Sequence, residues 1–426
     1  MDSPRSSSES LGRGGVRVGS FGVADSVAID PHGGSRLAKA PCVRGFGGDI
    51  VTTAIFDADS HLMETADWLG SFADPQVRDQ LLPLDLDGAG AKAAELMSKL
   101  PMLWEEQRHQ SIGPDVLSGP KGWMAPGALD SQVRSRVLDA LEITAQLVFP
   151  TFALVQFARS ENLDILYGGT QALNRAMAAF CAPDHRLKAV GFLPLTDPER
   201  AVLALEEGID EGVAAFWLPS EAPGEFSPAH ADLDPMWARL AEAGVPFVLH
   251  VGGGKLLPKA FHNNGLPRPL DWLGGGENLR SKDFPVLHHS PERFLACLAL
   301  DGVFERHPTL RGAAIELGAT WVPGMLRNVD HAHRSFSKFE PALKALALLP
   351  SDYLRRQVRF TPFPFEDTAW LLEQCGPELF MFSTDYPHPE GGRRPFELFR
   401  DAVSTFDEPT RDRFFWRNGA ELLGLV

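Results

Sequence analysis

Four strand-like segments of this chain end in carboxylates or imidazoles, the side chains that bind divalent ions and move protons. In FDADSHLME, Asp57, Asp59 and His61 alternate, and a period of two points all three to one face of a strand. Asp59 and His61 could therefore grip one ion from one side. Without an ion, Asp57 would cap a turn and Asp59 would salt-bridge a neighbour. His250 ends PFVLH and precedes VGGG, where glycines allow a ligand to approach the backbone closely. Taken alone, His250 reads as a core imidazole bonded to a carbonyl; beside other donors it reads as a ligand.

Glu316 ends RGAAIE and Asp385 ends LFMFSTD, each after otherwise apolar residues. A buried charge costs several kcal/mol unless it is paired or metal-bound. For Glu316 the alternative is an ion pair with Arg327 or Arg359. Ser383, Asp385 and His388 cluster with Pro387, Gly391 and Gly392 in a loop whose composition suits function better than packing. Asp385, Glu316 and His388 are the candidate proton-handling groups. His288 and His289, in a long loop, are either a further ligand pair, with His289 the candidate metal donor, or exposed loop residues. Arg393 and Arg394 could recognise an anionic substrate or simply be solvated. Glu64, three residues beyond His61, is either a substrate contact or a charge at a helix N-terminus.

These residues need a scaffold that brings strand ends together. Short apolar runs alternate with longer amphipathic stretches from residue 49 onward, the pattern of a parallel α/β fold. The strand candidates are 53–60, 144–150, 187–195, 212–219, 246–252, 311–317, 357–363 and 379–385. Eight is the number that a closed (β/α)8 TIM-like barrel requires. Helical stretches such as SQVRSRVLDALE, DPERAVLALEEGID and DPMWARLAEAG lie between them, several opened by a Ser or Asp N-cap. Two connections are too long for turns: residues 62 to about 130 after the first strand and 252 to about 290 after the fifth. Both would leave the C-terminal ends of their strands and wall the pocket or cover it. Trp104, Trp123, Phe261 and Trp272 within them suggest an apolar pocket or lid packing.

Residues 1–48, rich in Ser, Gly and Arg, carry neither period and read as a disordered tail or as an upstream-misplaced gene start; residues 49–426 form the barrel domain. The formal net charge of -16 argues against electrostatic binding to nucleic acid or anionic membranes. Cys42, Cys181, Cys297 and Cys375 are scattered, without metal-binding or disulfide spacing. No apolar run reaches the roughly 18 to 20 residues of a membrane span. The expectation is a cytoplasmic protein with a small-molecule substrate, and a homodimer as the commonest assembly of soluble enzymes.

The segments DADSHLME, FVLHVGGG, IELGATWVPGM and STDYPHPEGG together resemble the amidohydrolase superfamily. Within it they are most similar to the amidohydrolase-related branch that includes aminocarboxymuconate semialdehyde decarboxylase and the resorcylate-type decarboxylases. The resemblance covers roughly residues 53–424. It places the family's H-x-H on Asp59 and His61, its strand-five histidine on His250 and its strand-eight aspartate on Asp385. It implies a metal-dependent hydrolase or decarboxylase acting on a small organic acid or carbonyl compound, with a divalent ion, Zn or Mn, held by those residues. Two departures stand out. Asp59 replaces a histidine, as in the resorcylate-type decarboxylases, and Glu316 falls where that branch carries a histidine followed by Gly-Gly. A carboxylate at 316 could bridge two ions, so a dinuclear Fe monooxygenase acting on a bulky natural-product intermediate is the alternative. A barrel that has lost catalysis and only binds is another.

Deleting residues 1–48 is expected to leave melting temperature and activity unchanged; a collapse of either would show that the tail is part of the fold.

Overall fold

Short, almost wholly buried runs of Val, Leu, Phe and Ala form seven parallel strands, as sequences covered on both faces do. In the computed structural model, which describes residues 54–82, 84, 91–267 and 281–426, these are β1 (Phe56–Asp57), β2 (Ala145–Val148), β3 (Leu187–Phe192), β4 (Ala215–Trp217), β5 (Phe247–His250), β6 (Gly312–Ile315) and β7 (Val358–Phe360). Their order in the sheet is the order in the chain, β1-β2-β3-β4-β5-β6-β7. The expected tail, residues 1–48, and Trp272 lie outside the described residues.

Helices return the chain between strands: α1 (Ser131–Leu141) before β2, α2 (Leu163–Cys181) before β3, α3 (Pro198–Glu211) before β4 and α4 (Asp234–Ala243) before β5. Then come α5 (His289–Leu300) before β6, α6 (Val322–Phe336) before β7 and α7 (Thr368–Cys375) before the last segment. Their starts are written in the sequence. Asp130 accepts from the amides of Gln132 and Val133 at the start of α1, and Asp197, followed by Pro198, accepts from Arg200 N at the start of α3. Left-handed Gly212 and Gly244 end α3 and α4, conformations that glycine adopts without steric cost.

The eighth segment closes the barrel without forming a continuous strand. Leu379 O accepts from Phe360 N, and Met381 N donates to Phe360 O, on the β7 side. On the β1 side Ala58 N donates to Phe382 O, Asp385 N to Asp59 O and His61 N to Tyr386 O. The irregularity has a visible cause. Thr384 N donates to the side chain of Asp57 at 2.8 Å, so a carboxylate replaces a backbone acceptor in the ladder. Thr384 Oγ1 and Gln146 Nε2 donate to the same carboxylate at 2.6 and 2.8 Å. Asp57 therefore does not face the ligand cluster; its Oδ1 also accepts from Asp59 N at 3.4 Å, a local turn contact, and the carboxylate joins β1, β2 and the closing segment. Its burial pushes the carboxyl up to about 6, against the lowering effect of those bonds.

Among the described residues no helix is long and apolar enough to cross a membrane.

Asp57→Ala would leave two Thr384 donors and one Gln146 donor buried without an acceptor, and should lower unfolding free energy by about 3 kcal/mol. Equilibrium urea denaturation measures it; an unchanged midpoint would mean that barrel closure does not rest on this carboxylate.

Candidate functional site

The C-terminal ends of β1, β5 and β6 and the closing segment meet at one point. Asp59 and His61 continue β1, His250 is the last residue of β5, Glu316 follows β6, and Asp385 and His388 belong to the closing segment. All six are buried. The Nε2 atom of His250 lies 3.4 Å from Asp59 Oδ1 and 3.4 Å from Glu316 Oε2. His61 Nε2 lies 3.3 Å from Asp59 Oδ1, 3.7 Å from Asp385 Oδ1 and 4.0 Å from Glu316 Oε2. His388 Nδ1 is 3.1 Å from Asp385 Oδ1.

Backbone carbonyls fix how the imidazoles face this cluster. A carbonyl can only accept, so Pro150 O, 3.2 Å from His61 Nδ1, and Val251 O, 3.0 Å from His250 Nδ1, place the proton on Nδ1 in both rings. Each Nε2 then presents its lone pair to the centre, as a metal-ligating histidine does. His61 is stacked on His388 with ring centroids 4.0 Å apart, and Phe149 and Trp217 wall His250 at 4.4 and 4.9 Å.

The electrostatics follow from crowding charge into that apolar wall. Burial, and then the neighbouring His388, push His61 down to about 3, so its ring is neutral at physiological pH. Burial alone would raise Asp59, but the imidazoles of His250 and His61 outweigh it and hold this carboxyl below the usual range. Asp385 goes the other way: burial, then Asp59 and Glu390, raise it well above an ordinary aspartate.

Two of the carboxylates hang from strained backbone. Glu316 has φ 55° and Asp385 φ 51°, a left-handed conformation that costs non-glycine residues of order 1–3 kcal/mol. Thr361 Oγ1 accepts from Glu316 N at 3.0 Å and Asp59 O from Asp385 N at 2.8 Å, which hold these turns. Gly391 packs directly against the second one, where an added Cβ would come within 2.9 Å of Asp385 Cβ.

The donor set fits a divalent ion. Asp59, His61, His250 and Glu316 form one group, and His61, Glu316, Asp385 and His388 an overlapping one, with donor atoms within 4.8 Å of one another. His61 Nε2 and both Asp385 oxygens are buried yet make no aligned hydrogen bond, an arrangement that is costly unless something positive sits among them. The adjoining cavity, lined by Asp59, Glu316, Thr361, Asp385 and neighbours, holds ≈ 10 Å³, room for about one ion or water.

The structure thus brings together Asp59, His61, His250, Glu316, Asp385 and His388. Glu316 is not paired with Arg359, whose guanidinium lies 3.5 Å from Glu421. His289 is exposed at the start of α5, edge-on to His288 at 4.8 Å, and belongs to neither group of donors. Glu64 is buried and its carboxylate accepts from the amides of Thr151, Phe152 and Ala153 at 2.9, 2.9 and 3.3 Å. It therefore holds the loop after β2 rather than opening toward a ligand. Arg393 is exposed, with its carbonyl accepting from Ser118 Oγ at 3.0 Å. Trp104 Nε1 donates to Trp123 O within their own segment, Trp123 stacks on Phe152 of the loop after β2 at 4.9 Å, and Phe261 is exposed.

Sequence reasoning missed three supports. Arg134 is fully buried and donates to His61 O at 2.5 Å, Gly127 O at 3.0 Å and Gln146 Oε1 at 3.2 Å. Its spacing from Val137, Leu138 and Leu141, i to i+3, i+4 and i+7, put it on the inner stripe of α1 and was the available signal. Thr151 Oγ1 donates to Leu62 O at 2.7 Å and lies 3.1 Å from His388 Nε2, so it accepts from that ring. Lys121 Nζ is buried 5.9 Å from the centroid of the Tyr386 ring, with no pattern around it to mark it.

Comparison with known proteins gives the family and the fold. The chain is 24% identical over 262 residues to Decarboxylase orsB of Emericella nidulans, covering 60% of this chain and 75% of that protein. An amidohydrolase from Mycobacterium avium subsp. paratuberculosis shares the fold with TM-score 0.66 and 23% identity, over 88% of this chain and 100% of that one. So does 5-carboxyvanillate decarboxylase from Novosphingobium aromaticivorans, solved with manganese and 4-hydroxy-3-methoxy-5-nitrobenzoic acid, with TM-score 0.57 and 18% identity over 88% and 97% of the two chains. The family profile described as amidohydrolase matches residues 56–425, nearly the whole barrel, and the chain belongs to that family.

Proposed function

We propose that the protein is a divalent-metal-dependent decarboxylase that releases carbon dioxide from a small hydroxylated aromatic acid. The observation that carries this reading is the buried convergence of Asp59, His61, His250 and Glu316, with the Asp385–His388 pair against the same His61. The substrate class is supported by the decarboxylase among its relatives and by the hydroxylated benzoic acid bound with manganese in a protein of the same fold.

In this reading Asp59, His61, His250 and Glu316 hold the ion. Glu316 takes a ligand's place where the resembling branch carries a histidine. When bound, the ion would polarise a substrate oxygen and offset the gathered carboxylates. Asp385 is left to move the proton. Its carboxyl delivers it to the ring carbon that bears the carboxylate, the carbon–carbon bond breaks, its electron pair returns to the ring, and carbon dioxide leaves. His388, whose Nδ1 lies 3.1 Å away and whose Nε2–H is held by Thr151 Oγ1, returns a proton to Asp385 through Nδ1 once its ring has taken up a second proton from solvent between turnovers. General acid–base help of this kind contributes about 10²–10⁴ in rate.

One ion accounts for the donors better than two. His61 has one nitrogen to give, because Nδ1 is committed to Pro150 O, and both overlapping groups need that nitrogen. This weighs against the dinuclear iron arrangement that a carboxylate at 316 first suggests.

The test is release of carbon dioxide by manganese-loaded protein from a panel of hydroxybenzoates that includes 2,6-dihydroxybenzoate and 5-carboxyvanillate. Chelation should abolish release and manganese should restore it. No release from any member by fully loaded protein would overturn the reading. His250→Ala should lose both ion and turnover, as elemental analysis would report. Asp385→Asn should keep the ion while turnover falls about 10²–10⁴-fold; an Asp385→Asn protein that turns over normally would remove the proton assignment.

A further inference from the structure

At the end of the barrel away from the ion cluster lies a cavity that the reaction scheme does not use. It measures ≈ 470 Å³, within the roughly 300–1,000 Å³ of small-molecule sites. Its lining includes Gly244 before β5, Arg311 before β6, Arg356 and Gln357 before β7, Arg359 within β7 and Glu421 of the helix Asn418–Leu423. A circuit of bonds around the cavity fixes the three guanidiniums. Arg356 Nε and Nη2 donate to Gln357 Oε1 at 3.1 and 2.8 Å, and Gln357 Nε2 donates to Leu310 O at 2.9 Å. The next residue, Arg311, donates from Nη1 to Glu421 O at 2.7 Å and from Nη2 to Gly244 O. Glu421 Oε2 in turn lies 3.5 Å from Arg359 Nη2.

The charges in this circuit do not cancel. Three arginines and one glutamate line the cavity, an excess of two positive charges in a chain of net charge -16. The glutamate is shared further, because its Oε2 also lies 3.5 Å from Arg413 Nη1 outside the lining. Arg311 and Arg356 have carbonyl and amide oxygens as partners and, among the described residues, no carboxylate. Arg359 is buried, and its Nε makes no hydrogen bond. Burial disfavours the charged form of both Arg311 and Arg359, yet an arginine keeps its proton inside a protein. The excess must therefore be met from outside the chain, and a fork of guanidinium donors suits a phosphoryl group. We propose that this cavity binds a phosphate dianion, free or as the ester of a small molecule, held by Arg311 and Arg356 with Arg359 adding charge from the buried wall. The site is separate from the ion cluster and does not rest on the decarboxylase reading.

The experiment measures binding of inorganic phosphate and of phenyl phosphate to manganese-loaded full-length protein by calorimetry, at constant ionic strength in chloride. Both should bind saturably; tighter phenyl phosphate would point to an ester as the occupant, and tighter inorganic phosphate to the free ion. Arg356→Gln should weaken both probes about tenfold or more, the loss of a charge-assisted hydrogen bond, while manganese content and melting temperature hold. Glu421→Gln should act in the opposite direction and tighten both probes, because the competing carboxylate is gone. A cluster of arginines that serves only to tie helices together would show neither change. No saturable binding by the wild type, binding that neither substitution alters, or binding that disappears in His250→Ala with the ion would each overturn the site.

Discussion

Negative charge placed at the end of a buried strand has to be answered where it stands, and in this barrel the answers differ from carboxylate to carboxylate. Asp57 is answered by hydrogen bonds from Thr384 and Gln146, and in taking them it seals the ring of strands. Glu64 is answered by three backbone amides and becomes the anchor of the loop after β2. Asp59 faces the Nε2 atoms of two imidazoles at 3.3 and 3.4 Å, which offer lone pairs beside it and leave its charge for an ion to balance. What the imidazoles leave unbalanced, between Asp59, Glu316 and Asp385, is a centre of negative potential lined by nitrogen lone pairs. The left-handed turns at Glu316 and Asp385 are the backbone's contribution to holding acids close together that would repel each other if free to move.

That division explains why so much of the architecture was readable in advance. Strands buried on both faces leave continuous apolar runs, and all eight candidates correspond to the seven strands and the closing segment. Helix starts at Asp130 and Asp197 were legible because capping is local chemistry. Asp59, His61, His250, Glu316 and Asp385 stood out because a charged or imidazole side chain interrupts each run. Period-two reasoning failed at Asp57, since the strand it sits on is only two residues long and the chain then turns.

What stayed hidden depends on distant contacts. The same carboxylate spacing places Glu64 near His61 in sequence, but amides 87 to 89 residues away claim it. Paired histidines at 288 and 289 could be read as a ligand pair or as exposed loop residues, and His289 is exposed at the start of α5. Lys121 and Glu390 have no periodic context, because the segments around them are irregular and are positioned by single bonds such as Gly122 N to Pro387 O. Irregular segments are thus the part of the chain that local rules describe least, while the candidate ion ligands sit at the ends of the strands they describe best.

The central claim is that the gathered donors hold one divalent ion. Anomalous diffraction at the manganese edge from crystals grown with manganese tests it most directly. The account predicts a single peak bonded by Asp59, His61, His250 and Glu316, with Asp385 facing it from the side of His388. No peak among these residues, with their side chains paired only to one another, would contradict it.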